Sequence, residues 1–338
     1  MFKKAFYLMS LLAVATTYVA CSDDDNSGDN SNNETVSELE KSYFSIEDAT
    51  YKGGDIPEAT TSEELEGIEM SNQVMNGAMN YINVVTEQQV AKFFIGIKDV
   101  EGYWEYVPEN TDLVRASSHL NTYVIPMMMS QEYTGDTKIV LSGQLENGDV
   151  TTPVESEIFY IETMPGAIEV KLAFSNSKDI DLHLYTPSGE HIYYGHRGGV
   201  FTNEFGEEIT YGLDIDSNAA CHLDNINKEN IYIPSELVEA GEYRVVVDMY
   251  SNCRPSVATD WSIVARYEGN PIVPTSGQNT ALGTYEVGAP DGDMTEVMRF
   301  TVIEESNDAP RKSIRKNWKF VPTPLSESDS FKLDFIAD

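Results

Sequence analysis

Ile168–Tyr185 reads I-E-V-K-L-A-F-S-N-S-K-D-I-D-L-H-L-Y. Ile168, Val170, Leu172 and Phe174 are apolar at every second position, and Leu182 and Leu184 resume the pattern. A period of two places successive side chains on opposite faces of an extended chain, so the stretch reads as two strands with one face in a core. Pro187-Ser188-Gly189-Glu190 ends it with turn chemistry. In the second strand Asp179, Asp181 and His183 share the face opposite Ile180, Leu182 and Leu184.

The same signature runs in both directions. Downstream, Ala240-Gly241-Glu242 turns the chain into Tyr243–Tyr250, while Trp261, Ile263, Ala265 and Tyr267 alternate in phase, as do Met298, Phe300 and Val302. Upstream lie Ala91–Ile97 (AKFFIGI), Tyr123–Met129 (YVIPMMM), Lys138–Leu145 (KIVLSGQL) and Glu157–Glu162 (EIFYIE). Pro126 marks an edge or bulge, and Asn147-Gly148 a tight turn. No long amphipathic helix interrupts the series; Glu236–Ala240 suggests one short turn of helix. Short strands bounded by turns predict an all-β protein of two β-sandwich domains. The first, over residues 43–164, is expected to be immunoglobulin-like. The second, over 165–306, is expected to be jelly-roll-like, with Met164-Pro165-Gly166 as the boundary. Residues 307–338 form a tail in which Arg311, Lys312, Arg315, Lys316 and Lys319 cluster with Trp318 and Phe320. It reads as a terminal hairpin against the protein's own acidic surface, or as a patch for an anionic partner.

The chain has 338 residues, a length that suits roughly two domains of about 150 residues. Its 56 Asp and Glu against 22 Lys and Arg give a formal charge of −34. That argues against nucleic acid, whose phosphates need a basic surface, and against attraction to anionic lipid. A hydrophobic content of 41% excludes disorder throughout.

Lys3 and Lys4 precede an uncharged, Leu-containing run from Ala5 to Ala20. The run is short for a spanning helix, and its flanks read as a secretory signal over residues 1–20. Tyr18-Val19-Ala20-Cys21 resembles the lipobox of bacterial lipoproteins, although Tyr18 stands where Leu is usual. That resemblance implies cleavage before Cys21, acylation of Cys21 with palmitate-type chains, and an outer-membrane anchor. Ser22-Asp23-Asp24-Asp25 resembles the surface-export signal of Bacteroides-type lipoproteins and implies display outside the cell; the other reading is a plain acidic linker. Residues 21–42 are expected to be a flexible acidic tether. With Cys21 lipidated, Cys221 and Cys253 are left to pair in an oxidising compartment.

Asp179-Ile180-Asp181-Leu182-His183, Pro187-Ser188-Gly189-Glu190, Tyr193-Tyr194-Gly195, Leu213-Asp214-Ile215-Asp216 and Glu229-Asn230 occur in that order. Together they resemble a family of secreted bacterial β-sandwich domains with a D-x-D-L-H strand, a D-P-x-G-E turn, a Y-Y-G step, an L-D-x-D loop and a following E-N. Thr186 replaces the acid before the turn, and Ser217–His222 departs from the family pattern. From the residues themselves, Asp179, Asp181, Asp214 and Asp216 are candidate ligands. Four carboxylates brought together repel unless a cation neutralises them, and Ca²⁺ takes about 6–8 oxygens. Asn218, Asp224 or Glu229 would add donors. The competing reading has these acids solvating a loop. Asp214-x-Asp216-x-Asn218 opens like an EF-hand, but Ala219 stands where the loop needs Gly and Asn225 where it needs Glu.

No G-x-S-x-G, H-E-x-x-H, P-loop or G-x-G-x-x-G motif is present, and the expectation is a protein that is not an enzyme. His183 is expected to orient a carboxylate or a turn. Trp104 and Tyr106 in Tyr103-Trp104-Glu105-Tyr106 are candidates for stacking on a sugar, followed by Tyr193-Tyr194; the alternative is an aromatic core cluster. The functional expectation is a Ca²⁺-stabilised surface lipoprotein that binds a glycan or a surface protein. A glycan hydrolase using paired carboxylates, or a structural subunit of a surface assembly, stands as the alternative.

Overall fold

The computed structural model describes residues 37–108, 120–203, 205–304 and 318–320. The candidate lipidation residue Cys21, the signal segment and most of the tether and basic tail lie outside them. Among the described residues, no helix is long and apolar enough to cross a membrane. Among the described residues helix is confined to short pieces such as Glu38–Ser42 and the 3₁₀ turn Ser235–Leu237, the latter overlapping the start of the segment expected to turn.

The longer strands are numbered in chain order. β1 (Met79–Thr86), β2 (Val90–Ile97), β3 (Tyr103–Tyr106), β4 (Asn121–Met129), β5 (Thr137–Leu145) and β6 (Val154–Tyr160) build the first sandwich. One sheet runs Phe44–Ser45, β4, β1, Ile68–Met70. The other runs Thr50–Lys52, β3, β2, β5, β6, Gln73–Val74, the last pairing parallel with β6. Phe93, Ile95, Tyr123, Ile125, Met127 and Tyr133 fill the space between the sheets. Pro126 faces Tyr81 across one edge of β4, while on the other edge Phe44–Ser45 reaches only Met128 and Met129. The missing amide hydrogen of Pro126 therefore costs no ladder bond.

The alternation of β3 turns Trp104 and Tyr106 inward, each 7% exposed, and leaves Tyr103 and Glu105 half-buried on the outer side. Trp104 Nε1 donates to the Phe44 carbonyl at 3.1 Å, and its ring meets Tyr51 edge-on. This corrects the expectation of a sugar-stacking pair. A strand that caps a sheet against a core buries its large aromatics, and the indole N–H has found its acceptor inside.

β7 (Ile168–Phe174), β8 (Asp179–Tyr185), β9 (Gly198–Thr202), β10 (Glu208–Ile215), β11 (Lys228–Ile233), β12 (Gly241–Ser251), β13 (Thr259–Tyr267), β14 (Ala281–Tyr285) and β15 (Asp293–Glu304) build the second sandwich. One sheet runs β9, β10, β11, β7, β13, with Asn270–Pro271 and β14 both pairing with β13. The other runs His191–Ile192, β8, β12, β15, Ser276–Gly277. Trp318–Phe320 adds an antiparallel strand to β15. Leu172, Ile180, Leu182, Val247, Ile263 and Phe300 lie in the shared core, with both strands of the opening stretch contributing their predicted faces.

The two sandwiches meet face to face. Met79 and Tyr81 of β1 pack on Ala173 of β7. Lys171 Nζ donates to the Asn76 carbonyl at 2.8 Å and to Asn76 Oδ1 at 3.0 Å. Lys228, 1% exposed, donates to Asn80 Oδ1 at 2.9 Å. Burial pushes the Lys228 ammonium down to about 7. Lysines buried this far are accommodated because their N–H groups are matched to acceptors across the seam.

Candidate metal centre

Cross-strand register assembles the acidic cluster. In β8 and β12, Leu182 pairs with Val247 in the core, so Asp181 pairs with Asp248 on the outer face of that sheet. In β11 and β7, Glu229 pairs with core-facing Leu172, while Asn230 pairs with Lys171 on the outer side. Glu229 therefore points toward the other sheet. It reaches β8 at an edge left open where His191–Ile192 pairs only with Leu184 and Tyr185. There Glu229 Oε2 accepts the backbone N–H of Leu182 at 2.7 Å. A register shift between Asp179 and Asp181 re-aims the start of β8. Asp216, just past the end of β10, comes in from the same side as Glu229.

The result is two overlapping groups. Asp181, Asp216 and Glu229 each bring a ligand atom within 4.8 Å of one another, and so do Asp181, His183 and Asp248. Asp179, Asp181, His183, Glu229 and Asp248 are all buried. Within the cluster, Asp181 Oδ2, Asp216 Oδ1, Glu229 Oε1, Asp248 Oδ1 and His183 Nε2 are buried without a hydrogen-bond partner. Native structures leave few such atoms, and five in one place call for a shared cause.

Electrostatics point the same way. Burial pushes Asp181 up to about 8, with Asp179, Asp216 and Asp248 adding repulsion. Burial also carries Asp179 and Asp248 to about 6, and Asp216 upward. Glu229, buried first and then repelled by Asp181, is held well above the carboxylate range. Two like unit charges about 4 Å apart cost about 4 kcal/mol even at an effective dielectric of about 20. Arg197, half-exposed, stands 3.3 Å from Asp216 Oδ2 at the margin of the cluster.

A rigid loop closes over the cluster. Asn218, Ala220, Cys221, Asn225 and Asn227 all have positive φ, a conformation that side chains resist and surrounding structure must enforce. Buried Asn218 does much of that. Its Oδ1 accepts from the amides of Asp224 and Asn225, and its Nδ2 donates to the Lys178 carbonyl and Asn227 Oδ1. Ala220 N–H donates to Asp179 Oδ2 at 2.8 Å. Cys221 is disulfide-bonded to Cys253, just beyond β12, as the sequence predicts. The bridge ties the loop over Asp179 to the strand that carries Asp248, and closing a segment of 32 residues stabilises by about 3–4 kcal/mol in the chain-entropy picture.

Of the four aspartates predicted as ligands, Asp181 and Asp216 come together; Asp179 stays outside both groups, its Oδ2 accepting from Ala220 N–H, and Asp214 is turned away. Asp214 occupies the register shift between Leu213 and Ile215 and lies on the outer side with Asn230. Its Oδ2 accepts from Met164 N–H at 2.7 Å and its Oδ1 from Asn230 Nδ2 at 2.7 Å, so it fixes the connection between the sandwiches. Asp224 accepts from Asn218 and Ile226 amides and shapes the loop. Asp248 was not foreseen as a ligand. Its signal is a carboxylate in the middle of Val245-Val246-Val247-Asp248-Met249, out of phase with the core-facing residues.

Aromatic rings surround the centre on its outer side. His191 stacks between Tyr185 and Tyr193 with centroids 4.1 and 4.0 Å away. Tyr194 and Tyr250, 39% and 41% exposed, meet edge to face at 4.8 Å. Asp181 and Tyr250 both hold the Tyr194 hydroxyl above its ordinary range, after burial as the leading cause.

No protein-family model matches the chain, and no curated protein matches it in sequence. Among solved structures it is similar to the C-terminal domain of the Streptococcus agalactiae AgI/II polypeptide BspA, at 8% identity and a TM-score of 0.21, covering 70% of this chain and 98% of that one. A second BspA C-terminal structure gives 9% identity and a TM-score of 0.20, covering 70% and 97%.

Proposed function

We propose that this protein is a non-enzymatic binding module of the bacterial cell surface, lipid-anchored to the outer membrane through Cys21, whose second sandwich is built around a divalent cation. The observation that carries the reading is the set of buried, unpartnered carboxylate oxygens of Asp181, Asp216 and Glu229, clamped under a disulfide-tied loop. Hard oxygen donors suit Ca²⁺, which is plentiful outside cells, where extracellular modules bind it at about 10⁻⁴–10⁻³ M. Asp179 lies near enough to raise the Asp181 acid, while its Oδ2 holds the loop through Ala220 N–H. The cation removes the repulsion that the fold otherwise carries, and it fixes the loop beside the exposed Tyr194–Tyr250 pair. Exposed tyrosines next to a cation suit a glycan, whose ring stacks on the aromatic face while its hydroxyls meet the polar rim.

Titration calorimetry of Ca²⁺ into EDTA-stripped protein tests the cation. One site in the sub-millimolar to millimolar range is expected, abolished in Asp216→Asn. Absence of heat and of any shift in melting temperature ends the reading. A glycan array with wild type and Tyr250→Ala tests the surface, and equal binding by the two removes the tyrosine pair from it.

A further inference from the structure

We infer that the centre has two adjacent cation positions bridged by Asp181: one made of oxygen donors alone, and a second formed by Asp181, His183 and Asp248 that takes a borderline ion such as Zn²⁺. The first position rests on the function proposed above. The second stands on its own observations. His183 is 3% exposed, and its Nε2 is buried without a hydrogen-bond partner. It faces Asp248 Oδ2 at 3.8 Å, too far for a hydrogen bond. Two ligands on one ion with bonds of about 2.0–2.2 Å sit up to about 4 Å apart, so the gap has the span of a coordination site.

The other nitrogen of the ring is committed. His183 Nδ1 lies 2.8 Å from His191 Nε2, and the His191 ring is held between Tyr185 and Tyr193. A proton on His183 Nδ1 donated to His191 leaves the Nε2 lone pair free, aimed among carboxylates that offer it no proton when ionised. That is the arrangement of a metal-bound imidazole, with a second residue fixing tautomer and ring orientation. An imidazole with two carboxylates favours Zn²⁺, Mn²⁺ or Co²⁺ over Ca²⁺, which prefers oxygen. Three protein ligands leave a fourth place for water or an oxygen of an outside ligand. Asp181 belongs to both groups, so its carboxylate is the bridge.

Co²⁺ is the probe, because its visible spectrum reports ligand type and geometry. EDTA-stripped protein is first saturated with Ca²⁺ and then titrated with Co²⁺. One further equivalent is expected to bind with the spectrum of an imidazole-containing site, without release of Ca²⁺. His183→Gln and Asp248→Asn each lower Co²⁺ affinity at least about tenfold and leave the Ca²⁺-induced rise in melting temperature unchanged. Two substitutions are used so that a folding defect in either one leaves the other as the test. Absence of Co²⁺ binding, release of Ca²⁺ one for one, or unchanged Co²⁺ affinity in both variants overturns the second position. Co²⁺ binding with no response to Ca²⁺ supports it and sinks the first position instead.

Discussion

Replacing Asp181 with Asn is expected to stabilise the chelated protein, and Ca²⁺ is expected to narrow that advantage at pH 7 and to reverse it at pH 5. In chelated protein at pH 7 the wild-type side chain, with its acid pushed from 3.8 to about 8 by burial and neighbouring carboxylates, must be held protonated or charged at a cost. At 1.36 kcal/mol per pH unit that cost is on the order of 4 kcal/mol at pH 7 and about 2 kcal/mol at pH 5. The folded acid binds its proton more tightly than the unfolded one. Its contribution is therefore whole below pH 4 and lost as pH rises toward 8, so chelated wild type loses stability across that window. Asn carries no charge and escapes the loss. Asp181→Asn should then be more stable than wild type in EDTA, and by more at pH 7 than at pH 5. In Ca²⁺ at about a hundred times its dissociation constant, wild type gains about 2.7 kcal/mol and the variant almost nothing. Urea unfolding of both proteins at pH 5 and pH 7, with EDTA or with Ca²⁺, supplies all the comparisons. A variant less stable than wild type in EDTA would show Asp181 to be a hydrogen-bonded structural residue. Equal stabilisation of both proteins by Ca²⁺ would place the ion elsewhere.

Reduction of the Cys221–Cys253 bridge, or Cys253→Ser, should cost about 3–4 kcal/mol in urea unfolding and weaken Ca²⁺ binding measurably, since the loop over Asp179 loses its tie to β12. Unchanged Ca²⁺ affinity would detach the loop from the site. Trp104→Ala should destabilise the first sandwich by about 3–5 kcal/mol and leave glycan binding intact once the protein is folded. Lys171 is held below the ordinary lysine range, burial being the main cause, so the unfolded chain binds more protons just under that range. Stability of wild type relative to Lys171→Met should rise with pH just below the ordinary lysine range, and parallel pH profiles of the two proteins would refute that assignment.

The alternation in Ile168–Tyr185 was sufficient to read strands, core face and sandwich class, because burial of one strand face is a local pattern of period two. Partner choice is not local. Asp181 meets Asp248 because β8 pairs with β12 in a given register, and Glu229 joins them only because the edge of β8 is open at Leu182. Nothing in the spacing Asp214-x-Asp216 announces that the strand shifts register between Leu213 and Ile215 and sends the two carboxylates apart. Positive φ at Ala220 and Cys221 is equally silent in sequence, since such residues usually avoid it. Trp104 shows the reverse limit: an aromatic strand looks the same whether its rings face a ligand or a core.

Diffraction from crystals grown with Ca²⁺, recorded where calcium scatters anomalously, tests the cation centre most directly. The expected map places a peak among the carboxylates of Asp181, Asp216 and Glu229, with their unpartnered oxygens turned onto it. A map without a peak there, and with those oxygens still facing one another, would contradict the centre on which the proposed role depends.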